Sequence, residues 1–111
     1  MSDCVFCKIL AGQIPSTKVY ADDDVYAFQD LHPLAKTHVL FVHRKHTANV
    51  NGMSVVTVGQ VYQAIKNWTA GTELENEGFR VVTNVNAHAG QTVFHTHFHV
   101  LGGEKLGGFG R

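Results

Sequence analysis

Cysteine is scarce in this 111-residue chain: Cys4 and Cys7 are the only two. Thiols that close together cannot act as a useful disulfide staple, which excludes a disulfide-built fold and points instead to metal binding or redox work. Net charge is missing too. Nine Lys and Arg balance nine Asp and Glu, so there is no broad electrostatic case for a nucleic-acid or membrane surface. No apolar run approaches the ~20 residues that cross a bilayer. The opening Met1-Ser2-Asp3-Cys4 lacks the basic and then apolar layout of a secretory leader, and a cytoplasmic location is expected. Internal repeats and linkers are absent, and the one biased stretch is glycine-rich, over 102–111. The length suits a single domain over 1–111.

Histidine is plentiful instead, with eight in the chain. Three of them alternate in Phe94-His95-Thr96-His97-Phe98-His99-Val100. Period two is the mark of a strand with one buried face, and a strand is expected over 92–101. Phe94, Thr96, Phe98 and Val100 should then enter a core. His95, His97 and His99 should line the other face, about 7 Å apart. A row of imidazoles suits chemistry better than it suits covering a surface, because imidazole can attack, carry protons or bind metal near neutral pH.

The remaining pattern predicts a small α+β domain. Asp3 is expected to cap a short helix over Cys4 to Leu10, closed by Gly12. Thr17 to Tyr20 and Val25 to Asp30 read as strands joined by the acidic turn 22–24. Thr37 to His43 is a mostly apolar, central strand, and 44–52 is irregular. Ser54 to Ala70 is the one long helix, with Val55, Val58, Val61, Tyr62, Ile65 and Trp68 on one apolar stripe. Phe79 to Asn84 is a fourth strand, and 85–91 is a loop. The expected architecture is a five-stranded antiparallel sheet with the long helix on its apolar face.

The run from Gly90 to Gly103, with its His-x-His-x-His core, resembles the signature of the histidine-triad (HIT) family. Cys4-Val5-Phe6-Cys7-Lys8-Ile9, Ile14-Pro15-Ser16, Ala27-Phe28-Gln29-Asp30, Thr37-His38-Val39-Leu40 and Arg44-Lys45-His46 resemble bacterial members in order and spacing. Leu101-Gly102-Gly103 after the triad resembles the Hint branch, the nucleoside phosphoramidases. Gln91-Thr92 is also compatible with the Fhit branch, which cleaves dinucleoside polyphosphates.

The resemblance implies the HIT fold, a homodimer, and one purine nucleotide site per subunit of the AMP or GMP type. It implies hydrolysis of purine nucleoside 5′-phosphoramidates through a nucleotidyl-histidine. His97 matches the family nucleophile, and a carbonyl within the triad is a candidate to fix its tautomer. His99 would hold a phosphate oxygen, His38 would support the proton network, and Thr92 would assist the leaving group. Asn84, Gly90, Gln91 and Thr92 match phosphate-contacting positions. Asp30 would bind the ribose hydroxyls, with Phe28 and Val19 flanking the base. Many bacterial relatives carry a structural zinc site that matches Cys4, Cys7, His46 and His95. His43 stands where proline is usual and competes with His46 for that role. His88 lies in the phosphate loop. No cofactor is expected for the chemistry itself, and neither a membrane nor a nucleic-acid partner is expected.

Other readings are a Fhit-like dinucleoside polyphosphate hydrolase, a nucleotide-binding interaction protein without useful catalysis, and a triad that is itself a catalytic metal centre.

Overall fold

The computed structural model describes residues 3–108. The chain runs α1 (Val5–Leu10), β1 (Lys18–Ala21), β2 (Val25–Gln29), β3 (Thr37–His43), α2 (Val55–Thr69), α3 (Glu73–Glu77), β4 (Phe79–Val82) and β5 (His97–Gly102). The five strands form one sheet in the order β1-β2-β3-β5-β4, and every neighbouring pair is antiparallel. This is the expected α+β architecture, with β3 at its centre.

Both faces of the sheet are covered, which is why β3 is buried along almost its whole length. On one face α2 supplies Val61, Ala64 and Ile65. They meet Val25, Ala27, Val39, Phe41, Phe98 and Val100, with Trp68 packed alongside. On the other face α1 lays Phe6 over Phe28, Leu40 and Val42. Period-two alternation along β2, β3 and β5 thus feeds two cores, each side chain going to one or the other. Full burial of each such aliphatic or aromatic side chain stabilises by roughly 1.5–3 kcal/mol.

Several boundaries differ from the sequence reading. Cys4, not Asp3, caps α1, its sulfur accepting from the Cys7 N–H at 3.3 Å. Ser54 caps α2 in a reciprocal box with Thr57. That places Val55, which is 90% exposed, in the first turn and off the buried stripe. Tyr62 is also on the exposed side. The helix α3 was not anticipated. It is one short turn, capped by Thr72 and anchored by buried Leu74, too brief to show a period.

The histidine strand is shorter than expected. Its ladder begins at His97, paired with Val42, and 92–96 has no strand structure. Phe94 is therefore 49% exposed instead of entering the core. Thr96 is buried, but as a polar tie: its N–H donates to the Thr47 carbonyl at 2.8 Å and its hydroxyl meets the Thr47 hydroxyl at 2.5 Å. The glycine-rich end has no regular element over 103–108. Residues 109–111, part of the same expectation, lie outside the described residues, as do residues 1–2. No helix is long and apolar enough to cross a membrane among the described residues.

Candidate active site and metal centre

The face of the sheet under α1 holds a cavity of about 410 Å³. Phe6 and Ile9 of α1, Ile14 and Pro15 after it, and Phe28 and Leu40 of the sheet make its apolar wall. Asp30, Thr92, His97 and His99 supply polar groups at its margin. A mostly apolar hollow with a few convergent polar groups is the usual form of a small-molecule site.

His97 and His99 project from β5 on this face, and their rings stand 5.0 Å apart. His97 Nδ1 lies 2.8 Å from the carbonyl oxygen of His95. A carbonyl can only accept, so Nδ1 carries the proton and Nε2 keeps its lone pair. Phe6 meets the same ring edge-on at 5.2 Å.

His99 is set the other way round. The Leu34 N–H donates to His38 Nδ1 at 3.0 Å, so the His38 proton sits on Nε2. That group donates to His99 Nδ1 at 2.9 Å, leaving the His99 proton on Nε2. Asp30 Oδ2 is 3.5 Å from His38 Nε2. Burial pushes the His99 pKa down to about 4, helped by His97 and His38 and opposed by Asp30. Burial also lowers His38, against the pull of Asp30. Both rings are therefore neutral at pH 7. The result is one imidazole offering a lone pair beside another offering an N–H.

Asp30 also anchors the loop after β2, its Oδ1 accepting from the His32 N–H at 2.8 Å. Thr92 is exposed at the cavity mouth. The other expected contacts are placed differently. Val19 does not line this cavity. The β1–β2 register shifts between Lys18 and Tyr20, and that irregularity turns Val19 and Tyr20 together toward the α2 core. Ile9, Ile14 and Pro15 form the wall in its place. Ile9 stands on α1, and Ile14 and Pro15 follow it before the first strand in a stretch too short for periodicity to mark a buried face.

Gln91 is buried with both ends of its amide engaged. Its Nε2 donates to the carbonyls of Ala48 and Val93, and its Oε1 accepts from the Asn86 N–H and from Asn49 Nδ2. Its side chain ties the 86–93 loop to the 48–49 segment and is not presented to the cavity. Gly90 closes a short 3-10 turn through its N–H to Ala87, at φ +79°, a value glycine adopts without strain. Asn84 is half-buried, two residues beyond the end of β4. His88 is exposed on the turn. Asn49 and Thr47, in a segment read only as irregular, are the supports that sequence reasoning missed.

His95 is directed away from the other two triad rings. It is 1% exposed, with Nδ1 3.3 Å from Cys4 Sγ and 3.6 Å from Cys7 Sγ. Cys7 Sγ is 3.3 Å from His46 Nδ1. The four candidate ligand atoms lie within 4.8 Å of one another. His95 Nε2 faces the His43 carbonyl at 3.2 Å, so the proton is on Nε2 and the Nδ1 lone pair aims at the thiols. Burial, opposed by that carbonyl and reinforced by neighbouring histidines, pushes the His95 pKa down to about 4. Burial and the neighbouring Cys4 raise the Cys7 pKa.

A two-thiol, two-imidazole set with an oriented neutral ring fits zinc by its chemistry. His43 is turned elsewhere, with Nε2 on Gln60 Oε1 at 2.7 Å and Nδ1 accepting from the Lys45 N–H. Asp30, His38 and His99 are also close enough to share an ion, but their facing ring nitrogens are joined by the hydrogen-bond relay. The triad is thus split between two groups, and His97 belongs to neither.

Comparison with known proteins agrees with this geometry. The HIT domain model matches residues 11–106. The chain is 36% identical to a purine nucleoside phosphoramidase of Escherichia coli over 95% of this chain and 91% of that protein. It is 39% identical to an uncharacterized HIT-like protein of Borreliella burgdorferi, over 99% and 82%. A histidine triad protein from Clostridium difficile superposes with a TM-score of 0.92 at 40% identity, covering 98% of this chain and 97% of that one. The chain belongs to the HIT family.

Proposed function

We propose that this HIT-family chain hydrolyses the P–N bond of purine nucleoside 5′-phosphoramidates, with His97 as nucleophile. The observation that carries the reading is the opposed protonation of two adjacent rings: His97 Nδ1–H on the His95 carbonyl and His99 Nδ1 accepting from His38. The likeness to the phosphoramidase of Escherichia coli supports the choice of substrate.

The nucleoside occupies the apolar cavity, its base against Ile9, Ile14 and Phe28 and its ribose hydroxyls on Asp30. His97 Nε2 attacks the α-phosphorus. A P–N bond to His97 forms, the P–N bond to the amine breaks, and the amine departs with a proton taken from solvent water through the Thr92 hydroxyl, a proton that the hydrolytic water returns to solvent in the second step. The His99 Nε2–H and Asn84 stabilise the charge on the phosphate oxygens, a service that works best when donors are already in place. Water then attacks the same phosphorus, releases the nucleoside monophosphate and returns His97 to its starting form. Splitting one displacement into two easier ones is the advantage of a covalent nucleophile.

Zinc held by Cys4, Cys7, His46 and His95 belongs to the same proposal as a structural tie between α1 and the triad, and it supplies no chemistry to the reacting bond. A homodimer is proposed as well, and the position of β4 at the sheet edge, with partly exposed Phe79, favours it. The deciding experiment is hydrolysis of a fluorogenic adenosine 5′-phosphoramidate beside a diadenosine polyphosphate, by the protein and by His97→Ala. Cleavage of the phosphoramidate that vanishes in the variant is the expected result. Cleavage of the dinucleotide alone transfers the chain to the Fhit-like reading, and no His97-dependent cleavage of either overturns the hydrolase.

A further inference from the structure

A second hollow lies on the α2 side of the sheet, across from the cavity that holds His97 and His99. Its volume is about 200 Å³. Val19, Val39 and Trp68 form its apolar side, and all three pack with the core under α2. Gln29, Lys36 and Thr37 form its polar side. Thr37 and Val39 are two residues apart on β3 and so share a face. Gln29 ends β2, and Lys36 directly precedes β3. The hollow is thus built where β2, β3 and the end of α2 converge. Gln29 and Asp30 border both hollows, but neither His97 nor His99 lines this one.

Four polar groups on its lining residues lack a partner. The Lys36 ammonium, the Gln29 amide, the Thr37 hydroxyl and the Trp68 indole N–H make no side-chain hydrogen bond or ion pair among the described residues. Lys36 is held by its backbone N–H, which donates to Glu104 at 2.8 Å, and the Trp68 ring packs on Phe41. A half-buried indole usually finds an acceptor for its N–H. All four groups can donate, and the ammonium and the indole N–H can do nothing else. Spare donors beside an apolar flank are complementary to an anion with an apolar body. Asp30 brings a carboxylate to the wall, 3.5 Å from His38 Nε2. Its charge disfavours a dianion, so a monocarboxylate fits better than a phosphate ester. A dry cavity of about 150 Å³ accepts benzene, and this larger, polar-sided hollow suits a ring that carries one carboxylate.

We infer that the hollow is a second small-molecule site. It takes an aromatic monocarboxylate, with the ring against Val19, Val39 and Trp68 and the carboxylate on the Lys36 ammonium and the neighbouring neutral donors. Because it opens on the other side of the sheet, it fills while a nucleotide occupies the first cavity. Binding there requires neither His97 nor turnover.

Trp68 is the only tryptophan of the chain, so its signals report on this hollow directly. The probe is benzoate, titrated into the full chain without AMP and again with AMP at saturation. Trp68 fluorescence and its indole ¹⁵N–¹H resonance are both read. A saturable change with a Kd of about 1 mM or tighter, the scale for a ligand of that size, is expected in both titrations. Benzamide has the same shape without the charge, and it should bind at least about fivefold more weakly, the scale of a partly exposed charge pair. Lys36→Met should weaken benzoate by a similar factor. AMP affinity by calorimetry and the melting temperature should stay at parent values in that variant, because the ammonium has no partner in the fold. Absence of a saturable change in either signal overturns the inference. Equal binding of benzamide, or unaltered benzoate affinity in Lys36→Met, also overturns it, since contact is then only apolar. Loss of the response at saturating AMP overturns it as well, because benzoate would then be occupying the nucleotide cavity.

Discussion

The Nδ1 nitrogen of His97 lies 2.8 Å from the carbonyl oxygen of His95, two residues earlier in the chain. A main-chain acceptor at that place cannot be titrated or rotated independently. It commits the His97 proton to the inner nitrogen and leaves the outer one for reaction. On the proposed function, His97→Ala removes turnover by on the order of 10⁴-fold or more, as expected when a covalent nucleophile is deleted. AMP affinity and melting temperature stay close to those of the parent, because the ring makes no other hydrogen bond that the fold needs. Steady-state kinetics with calorimetry on the variant checks this, and near-normal turnover would refute the assignment.

Asp30 carries a separate expectation. Its Oδ1 already accepts from the His32 N–H, and Oδ2 is the oxygen that faces His38 and the cavity. Asp30→Asn retains the loop bond while removing the charge. Hydrogen bonds to a charged group contribute roughly 1.5–3 kcal/mol, so nucleotide affinity should fall about 10- to 100-fold, with kcat much less affected. The loss should be smaller for a 2′-deoxynucleotide. Equal affinity of the parent for ribo- and deoxyribonucleotides would count against the ribose role.

The depressed histidines make stability depend on pH in a defined direction. In the unfolded chain a histidine titrates near 6.5; in the folded chain His99 is held at about 4 by burial and its neighbours, and His38 is lowered as well. Between those values the unfolded state binds protons that the folded state refuses. This contribution to stability is complete above about pH 6.5, and acidification toward pH 4 removes it. Urea midpoints measured from pH 7.5 downward should fall through this window, and less steeply in His99→Phe. Flat midpoints would contradict the buried, neutral state of the ring.

Much of this was legible in the sequence, and the misses share a cause. Alternation located β5 and set His97 and His99 on one face, whereas β3 was legible as a near-continuous apolar run, the pattern of a strand buried on both faces. The same rule overran at His95 and Phe94. Alternating letters persist there, but the ladder has ended, and side-chain direction is set by Thr96 on Thr47 and by the thiols. Gln91 matched a phosphate position, yet its amide is consumed by the loop, something only three-dimensional neighbours reveal. The choice between His43 and His46 was likewise open until Gln60 and Lys45 were seen to occupy both His43 nitrogens.

That last contrast gives a metal prediction. The protein as purified should carry about one zinc per chain, the stoichiometry of one four-ligand site. His43→Gln should keep the metal and lose about 1 kcal/mol of stability with its hydrogen bonds. Cys7→Ser should lower metal content and melting temperature together, since metal affinity and folding are linked. A chelator should reproduce the Cys7→Ser effect in the parent and add nothing in the variant. Elemental analysis alongside thermal melts distinguishes these outcomes. Wild-type protein with no zinc and two freely titratable thiols would defeat the zinc assignment.

Val19 and Ile14 separate the cavity wall from the core. The irregular register at Val19 turns its side chain to the α2 side, while Ile14 stands in the cavity wall with Phe28. Val19→Ala should therefore cost about 1 kcal/mol of stability, for two methyl groups in a partly buried place, and leave AMP affinity unchanged. Ile14→Ala should do the reverse. It removes three carbons from the cavity wall on which the proposed function lays the base, so binding should weaken by about 1–2 kcal/mol, or roughly tenfold, with little change in the urea midpoint. The pair is informative because the family position alone assigns the base contact to Val19, whereas the bulge assigns it to Ile14. Calorimetry with AMP and denaturation of both variants decides between them, and an affinity loss confined to Val19→Ala would mean that β1 presents its other face when nucleotide is bound.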